Sequence, residues 1–442
     1  MAELSVGFCG DSARAGPDWL RVLSRRGLAA EGRAGPSLFM TVVGKWPERP
    51  QVLVAPNCTD LSCGPATLSL PSETLLIGAL QRLSGMDRSA CGSDPARAGY
   101  DYATANFPDM GLRLPGGDGV PRAALNGLSS SLLGALCAGC RFIAWGLPGD
   151  PPAWAAGFER ATGSERAVSM ALGAGHAGAR AMAVVSASEM ESASRILRWA
   201  AEAEVPCVVL AAGEGFGIVP SMAEWVESAP AAFFVPATVE EAGKTAAQAF
   251  DWAETYQCPV CVSLSGLMDR WSAVARPGKT ETSRGLWASP GEGRYRDTPA
   301  GISPRAVPGQ EGLEYSACPA DASRSKKLER KHIALLSSAP GLSAAGTGLC
   351  VAASGSLAGE LRRLEGRFKL VAVDRLLPFP AALLAGEMKT SWRTVVAEWE
   401  GDTALRGLIR RQLSVDLPTL QIPRSADMES LRGSVLEAVG RD

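Results

Sequence analysis

Apolar and polar positions along the chain alternate between a period of two and a period near 3.6, and the switches outline most of the architecture. Leu4-Ser-Val-Gly-Phe-Cys9 reads as a strand, followed by a turn at Gly10 and a helix around Trp19–Arg26. Phe39–Val43 and Gln51–Ala55 are short β-like runs, and Ser72–Leu83 has helical spacing with Ser72 placed to cap it. The rest of residues 1–112 reads as irregular. Pro115-Gly-Gly-Asp-Gly-Val-Pro121 is a dense breaker cluster and marks the first boundary. Between about 120 and 270 helix and strand alternate. Helices are expected over Asn126–Ala138, Thr162–Ala177, Ser188–Ala203 and Thr238–Tyr256. Strands are expected at Arg141–Trp145, Ala181–Ser186, Pro206–Ala211, Ala231–Val235 and Pro259–Leu264. Such alternation with short connections implies a parallel sheet covered on both faces.

Periodicity then disappears from Trp271 to about Arg330, a stretch rich in Gly, Pro, Ser and Arg that reads as a linker or a functional loop. The basic run Lys326–Lys331 reads as a solvated helix face leading into the next domain. A second α/β unit follows, with strands at Gly348–Ala353, Phe368–Val373 and Arg393–Glu398 and helices from Gly355, over Ala381–Ala385 and over Thr403–Leu413. The chain thus divides into 1–112, 120–270, 271–335 and 336–442.

Composition narrows the function classes. With 46% hydrophobic and 20% charged residues the chain can bury sizeable cores. A net charge of -2 argues against a general nucleic-acid binder. No run of about 18 apolar residues suggests a membrane span. The first residues lack the basic and apolar regions of a signal peptide, so a cytoplasmic protein is expected. Eleven scattered cysteines do not form a disulfide scaffold, and two histidines, His176 and His332, nearly exclude a His-rich metal site.

Four features invite chemistry. Cys137-Ala-Gly-Cys140 and Cys258-Pro-Val-Cys261 have metal-ligand spacing, but their apolar neighbours favour packing. Gly213-Glu-Gly-Phe-Gly217 and Ser354-Gly-Ser356 sit where phosphate loops would, without a phosphate-loop signature. His176 reads as a helix-end histidine facing the dipole. Glu165, in Thr162-Gly-Ser-Glu165-Arg-Ala-Val-Ser-Met, matches a capping box with Thr162. The same helix carries Ala171, Gly173, Ala174, Gly175, Ala177 and Gly178, small residues that let a cofactor or partner approach closely.

Several dispersed passages, in order, resemble one family. They are Ala123-Ala-Leu-Asn-Gly-Leu through Cys140-Arg-Phe, Ser164 through Met182, and Glu204-Val-Pro-Cys-Val-Val-Leu. Ala247 through Val260, Gly301-Ile-Ser-Pro-Arg-Ala-Val-Pro-Gly309, Asp374-Arg-Leu-Leu-Pro-Phe-Pro380 and Val395-Val-Ala-Glu-Trp-Glu400 continue the series. Together they resemble the α subunit of 2-oxoacid:ferredoxin oxidoreductases, the pyruvate and 2-oxoglutarate enzymes among them. Ala98-Gly-Tyr-Asp-Tyr-Ala103 resembles the joint in members that carry a γ-type domain in front. The resemblance implies an α/β fold: a shortened γ-like N-terminal domain, a thiamine diphosphate pyrimidine-binding parallel-sheet domain and a transketolase C-terminal-like domain. It implies oxidative decarboxylation of a 2-oxo acid to an acyl-CoA with electrons passed to ferredoxin, or the reverse. A partner β subunit would supply the diphosphate and Mg²⁺ site and an iron–sulfur cluster, in a hetero-oligomer, with no metal held by this chain. Glu165 falls on the family's helix-start glutamate, which hydrogen-bonds the cofactor's pyrimidine. A partly buried carboxyl with a raised pKa is expected there. Ser186 falls on a cofactor-side turn.

Three loops depart from the family pattern. Trp145-Gly-Leu-Pro-Gly-Asp-Pro-Pro152 lacks the substrate-contacting Thr. Ser186-Ala-Ser-Glu-Met190 replaces a Ser-Gly-Pro-Gly turn, and Ala212-Gly-Glu-Gly-Phe-Gly-Ile-Val-Pro-Ser221 lacks the family's loop Arg. A retained core with altered loops also fits a structural paralogue without activity that docks on a β subunit or another redox complex.

Overall fold

A computed structural model describes residues 4–34, 38–43, 51–54, 66–68, 70, 72–107, 109, 114–152, 154, 158–275, 322–338, 341–364, 368–424, 431, 433–435 and 437. The chain falls into two units: Met1–Gly127 with Asp269–Arg276 and Asp427–Glu429, and the remainder.

The first unit is more regular than its sequence suggests. Seven strands form one mixed sheet, in the order 66–68, 52–54, 4–9, 38–43, 31–34, 270–275 and 122–126. Strand Leu4–Cys9 pairs antiparallel with Leu38–Val43 and parallel with Val52–Val54. Its alternating Leu4, Val6 and Phe8 pack with Trp19, Leu20 and Leu23 of helix Ala15–Arg25. Helix Glu73–Leu83 is capped as expected, the Ser72 hydroxyl accepting the Leu75 N–H at 3.3 Å. Helix Asp94–Asn106, which holds the Ala98–Ala103 passage, lies against it. A Cβ at Gly78 or Gly99 would collide with the other helix's backbone, so backbones meet here without side chains between them. Strand Arg270–Ala275 was not expected. It lies at the start of the aperiodic stretch and returns to this sheet between 31–34 and 122–126.

The second unit holds two sheets. One runs in the order 375–377, 232–234, 259–263, 207–212, 181–186, 142–145 and 159–160, all parallel except for the first pair. The runs Ala181–Val185 and Cys207–Ala212 are apolar throughout because both faces are covered. Ala183, Val185, Val209 and Ala211 face one core with Val168 and Leu197. Met182, Val184, Val208 and Leu210 face the other with Leu132 and Phe250. Helix Val239–Tyr256 starts at a true cap. The Thr238 hydroxyl accepts the Glu241 N–H at 3.1 Å, and Glu241 reaches back to the Ala237 N–H at 2.9 Å. The last sheet has the order 342–345, 369–373, 350–354, 394–399 and 419–422, parallel apart from 342–345.

Helix Ala322–Ser337 revises the reading of the basic run. Glu329 and Arg330 are exposed, but Lys331 is 2% exposed and its ammonium contacts the buried Glu204 carboxylate. Lys331 also donates to the Gln257 carbonyl at 3.4 Å. Glu204 and Gln257 precede strands Cys207–Ala212 and Pro259–Ser263, so the lysine spans the amino ends of two core strands. The end of the same helix is held by the wholly buried Arg375. Its guanidinium donates to the carbonyls of Leu335 (2.7 Å), Leu336 (3.2 Å) and Pro378 (3.1 Å). Burial pushes its pKa down to about 10.

Candidate functional site

Open parallel sheets bind ligands at the carboxyl ends of their strands. In the second unit that end is built around helix Ser164–His176. Strand Phe142–Trp145 ends at Gly146, whose N–H donates to the Val184 carbonyl at 2.8 Å. A Cβ at Gly146 would crowd Ala167 Cβ at 2.9 Å and the Gly163 carbonyl at 3.0 Å, so glycine there lets the helix start close on the strand end. Ser164 is buried. Its hydroxyl accepts the Ser186 N–H at 3.2 Å and donates to Glu189 Oε2 at 2.8 Å. This ties the helix start to the end of strand Ala181–Ser186 and the turn of 3₁₀ helix that follows it.

The expected capping box is absent. The N-cap residue is Gly163, with φ 91° and no side-chain cap, and Thr162 lies outside the helix. Only glycine takes this backbone conformation without strain, so the cap position passes from Thr162 to Gly163. Glu165 is the helix's second residue and is exposed. The sequence had suggested a partly buried carboxyl, and this chain's own side chains do not cover it. A Cβ at Gly163 would meet nothing within 4 Å, so the space before the helix is open. Ser186, the other expected cofactor residue, is half-buried, its hydroxyl 2.8 Å from that of Ser188. The Ser186 N–H is thus bonded to Ser164, the residue before Glu165. Neither Ser164 nor Glu189 was singled out by sequence; the Ser at the position before Glu165 was the available signal, obscured by the Thr162 match.

The altered loops are closed by local contacts. Trp145 Nε1 donates to the Gly149 carbonyl at 3.2 Å. Glu214, in the glycine-bearing loop, accepts from Ser265 Oγ at 3.2 Å and the Gly266 N–H at 3.1 Å, and it contacts Arg424. Arg424 also donates to Asp402 Oδ2 at 3.0 Å. The Gly213–Gly217 loop is thus tied to Arg424, which follows the last strand of the third sheet, and to Ser265 and Gly266. The Ser354–Ser356 turn is not an open phosphate site either. Helix Gly355–Leu361 is buried throughout, and Ser356 Oγ accepts the Trp399 indole N–H at 3.0 Å.

Both Cys-x-x-Cys pairs lie in or beside the core. Burial pushes the thiols of Cys140 and Cys258 up to about 12 and raises those of Cys207 and Cys261 as well, which disfavours the thiolate a metal ligand needs. We expect these four thiols to resist alkylation at pH 8 in the folded protein and to react once it unfolds, read by mass spectrometry; native labelling would contradict their burial. His176 closes its helix, as its place in the sequence suggested. His332 Nδ1 lies 3.2 Å from the Val226 carbonyl, and burial lowers its pKa. It lines a cavity of about 320 Å³ with Glu227, Phe379 and Leu383, which shares no residue with the Glu165 site. Among the described residues no helix is long and apolar enough to cross a membrane. The passage Gly301–Gly309 lies outside the described residues.

Comparison with known proteins bears on the fold and on residues 161–316. Residues 161–316 match the family model "Pyruvate flavodoxin/ferredoxin oxidoreductase, thiamine diP-bdg". In structure the chain is similar to the 2-oxoglutarate:ferredoxin oxidoreductase from Magnetococcus marinus, solved with 2-oxoglutarate, coenzyme A and succinyl-CoA bound. The TM-score is 0.79 at 17% identity, covering 99% of this chain and 100% of that one. A split-gene transketolase, described as an inactive β4 tetramer, gives a TM-score of 0.41 at 14% identity over 71% of this chain and 96% of its own, too slight to place the fold. No curated protein matches the sequence. The resemblance to the 2-oxoacid:ferredoxin oxidoreductases therefore holds, through the family match over residues 161–316 and through the fold over nearly the whole chain. The α/β fold class with parallel-sheet domains holds with it.

Proposed function

We propose that this chain, whose residues 161–316 match the thiamine diphosphate-binding model of the pyruvate flavodoxin/ferredoxin oxidoreductases, serves as the α subunit of a cytoplasmic 2-oxoacid:ferredoxin oxidoreductase. The observation that carries this is the exposed Glu165 carboxylate. It stands on the second residue of a helix with an open start, at the carboxyl ends of a parallel sheet. Such a group suits one half of a cofactor site, with the other half on a partner surface. The residues fit an aminopyrimidine: Glu165 would offer a carboxyl to a ring nitrogen, and the Ser186 turn would border the ring. When bound, thiamine diphosphate supplies the carbon nucleophile that attacks the 2-oxo carbonyl. Glu165 would hold or release a proton at the pyrimidine ring. A β subunit docking over the helix start would bury Glu165 and exclude water from it. Mg²⁺ and the iron–sulfur cluster would belong to that subunit, with coenzyme A and ferredoxin as co-substrate and acceptor.

A second reading has its own support. Glu214 stands in the loop that departs from the family's Arg-bearing loop, and it is tied to Arg424, Ser265 and Gly266. A loop locked in this way suits a docking paralogue that keeps the fold without the reaction. Purification with native partners separates the two. The complex, supplied with thiamine diphosphate, Mg²⁺ and coenzyme A, should reduce a low-potential acceptor when given a 2-oxo acid, and the isolated chain should bind thiamine diphosphate weakly. A complex that binds the cofactor only on the partner and turns over no 2-oxo acid would favour the paralogue.

A further inference from the structure

The reaction proposed above uses Glu165 but leaves Glu189 without a role, although Glu189 is bonded to the hydroxyl of Ser164, the residue before Glu165. Ser164 is 2% exposed, and its oxygen is engaged both ways: it accepts the Ser186 N–H at 3.2 Å and donates to Glu189 Oε2 at 2.8 Å. An O–H donor on a carboxylate is among the stronger side-chain hydrogen bonds. No side chain caps this helix, because the N-cap residue is a glycine. An uncapped start leaves its first N–H groups without intrahelical partners and tends to fray. The residue that follows Ser164 is Glu165. The backbone from which the Glu165 side chain projects is therefore held by a turn whose buried side-chain anchor is the Ser164 hydroxyl. Glu189 lies in Ser186-Ala-Ser-Glu-Met190, the turn that follows strand Ala181–Ser186.

We propose that Glu189 is a positioning residue for Glu165. By accepting the Ser164 proton it fixes the hydroxyl's rotamer. The hydroxyl oxygen then stays aimed at the Ser186 N–H, and the helix's first turn is pinned to the strand end. The helix dipole favours a carboxylate at this place, which helps hold Glu189 there. The inference rests on the proposed function for its catalytic meaning, though not for its geometry.

The test uses Glu189→Ala and Glu189→Gln in the assembled complex, with two readouts. Glu189→Ala should lower kcat by about 10-fold or more, within the range set by small displacements of a reacting group. KM for the 2-oxo acid should stay unchanged, and the thermal midpoint should fall by no more than the loss of one hydrogen bond to a buried hydroxyl accounts for. Glu189→Gln, whose amide oxygen still accepts the Ser164 proton, should keep kcat near the parent value. Amide hydrogen exchange of a peptide covering residues 163–170 should speed up in Glu189→Ala and return to the parent rate in Glu189→Gln. Unchanged kcat and exchange in Glu189→Ala would overturn the proposal, as would a Glu189→Gln variant as impaired as the alanine. If exchange responds as expected while the parent complex turns over no 2-oxo acid, the functional reading falls and the anchoring of the helix start stands.

Discussion

Glu165→Gln in the reconstituted complex should lower 2-oxo-acid-dependent acceptor reduction by at least about 100-fold, the lower end of what a positioned proton-transfer group contributes. That loss corresponds to about 2.7 kcal/mol of transition-state stabilisation, at about 1.36 kcal/mol per factor of ten. Glutamine keeps the length of the side chain and one accepting oxygen, so a role limited to shape or docking would survive the change. It cannot carry an acidic proton, so a role in proton transfer would not. Because Glu165 is exposed on this chain, the thermal midpoint of the isolated chain should stay within the small range of surface substitutions. Steady-state turnover of the complex together with a thermal melt makes the measurement. Unchanged turnover in a complex that is otherwise active would remove Glu165 from the chemistry. An inactive parent complex would point to the docking paralogue.

The second unit was legible because its strands are covered on both faces. Apolar runs such as Ala181–Val185 and Cys207–Ala212 have one reading once short helices separate them. The first unit was less so. Its strands 31–34 and 122–126 are only partly buried and mix charged with small residues, so no period shows. Arg270–Ala275 is a strand because of pairing partners about 150 to 240 residues away in sequence, which no local pattern reports. At the candidate site, the residue of interest was visible and its local structure was misread. Thr162 and Glu165 have capping-box spacing, but the positive φ of Gly163 moves the cap position by one residue and leaves Glu165 turned outward. What the spacing hid was Ser164, whose buried hydroxyl carries the connections to Ser186 and Glu189.

Lys331 shows the same limit with an energetic consequence. From sequence it is one cation in a basic run; in the fold it is a buried ammonium against a buried carboxylate. Lys331→Met keeps an unbranched apolar stem of similar length and removes the charge that faces Glu204. Breaking a buried pair from one side costs about 3–5 kcal/mol, because the remaining charge stays in a poorly polarisable interior. The second unit's unfolding midpoint in denaturant should fall accordingly, by a large share of an ordinary domain's stability. The pair Lys331→Met and Glu204→Gln should recover about 2 kcal/mol or more of that loss, since no net charge then remains to be buried. Glutamine is a suitable second change because residue 204 has φ 57°, a strained conformation for either side chain, so that strain is common to both and drops out of the comparison. Chemical denaturation of the four proteins makes the cycle. Equal stability of Lys331→Met and the parent would mean that the ammonium contributes nothing at the amino ends of the two core strands. A double variant no better than the single would locate the cost in lost packing of the lysine stem, not in the carboxylate left behind.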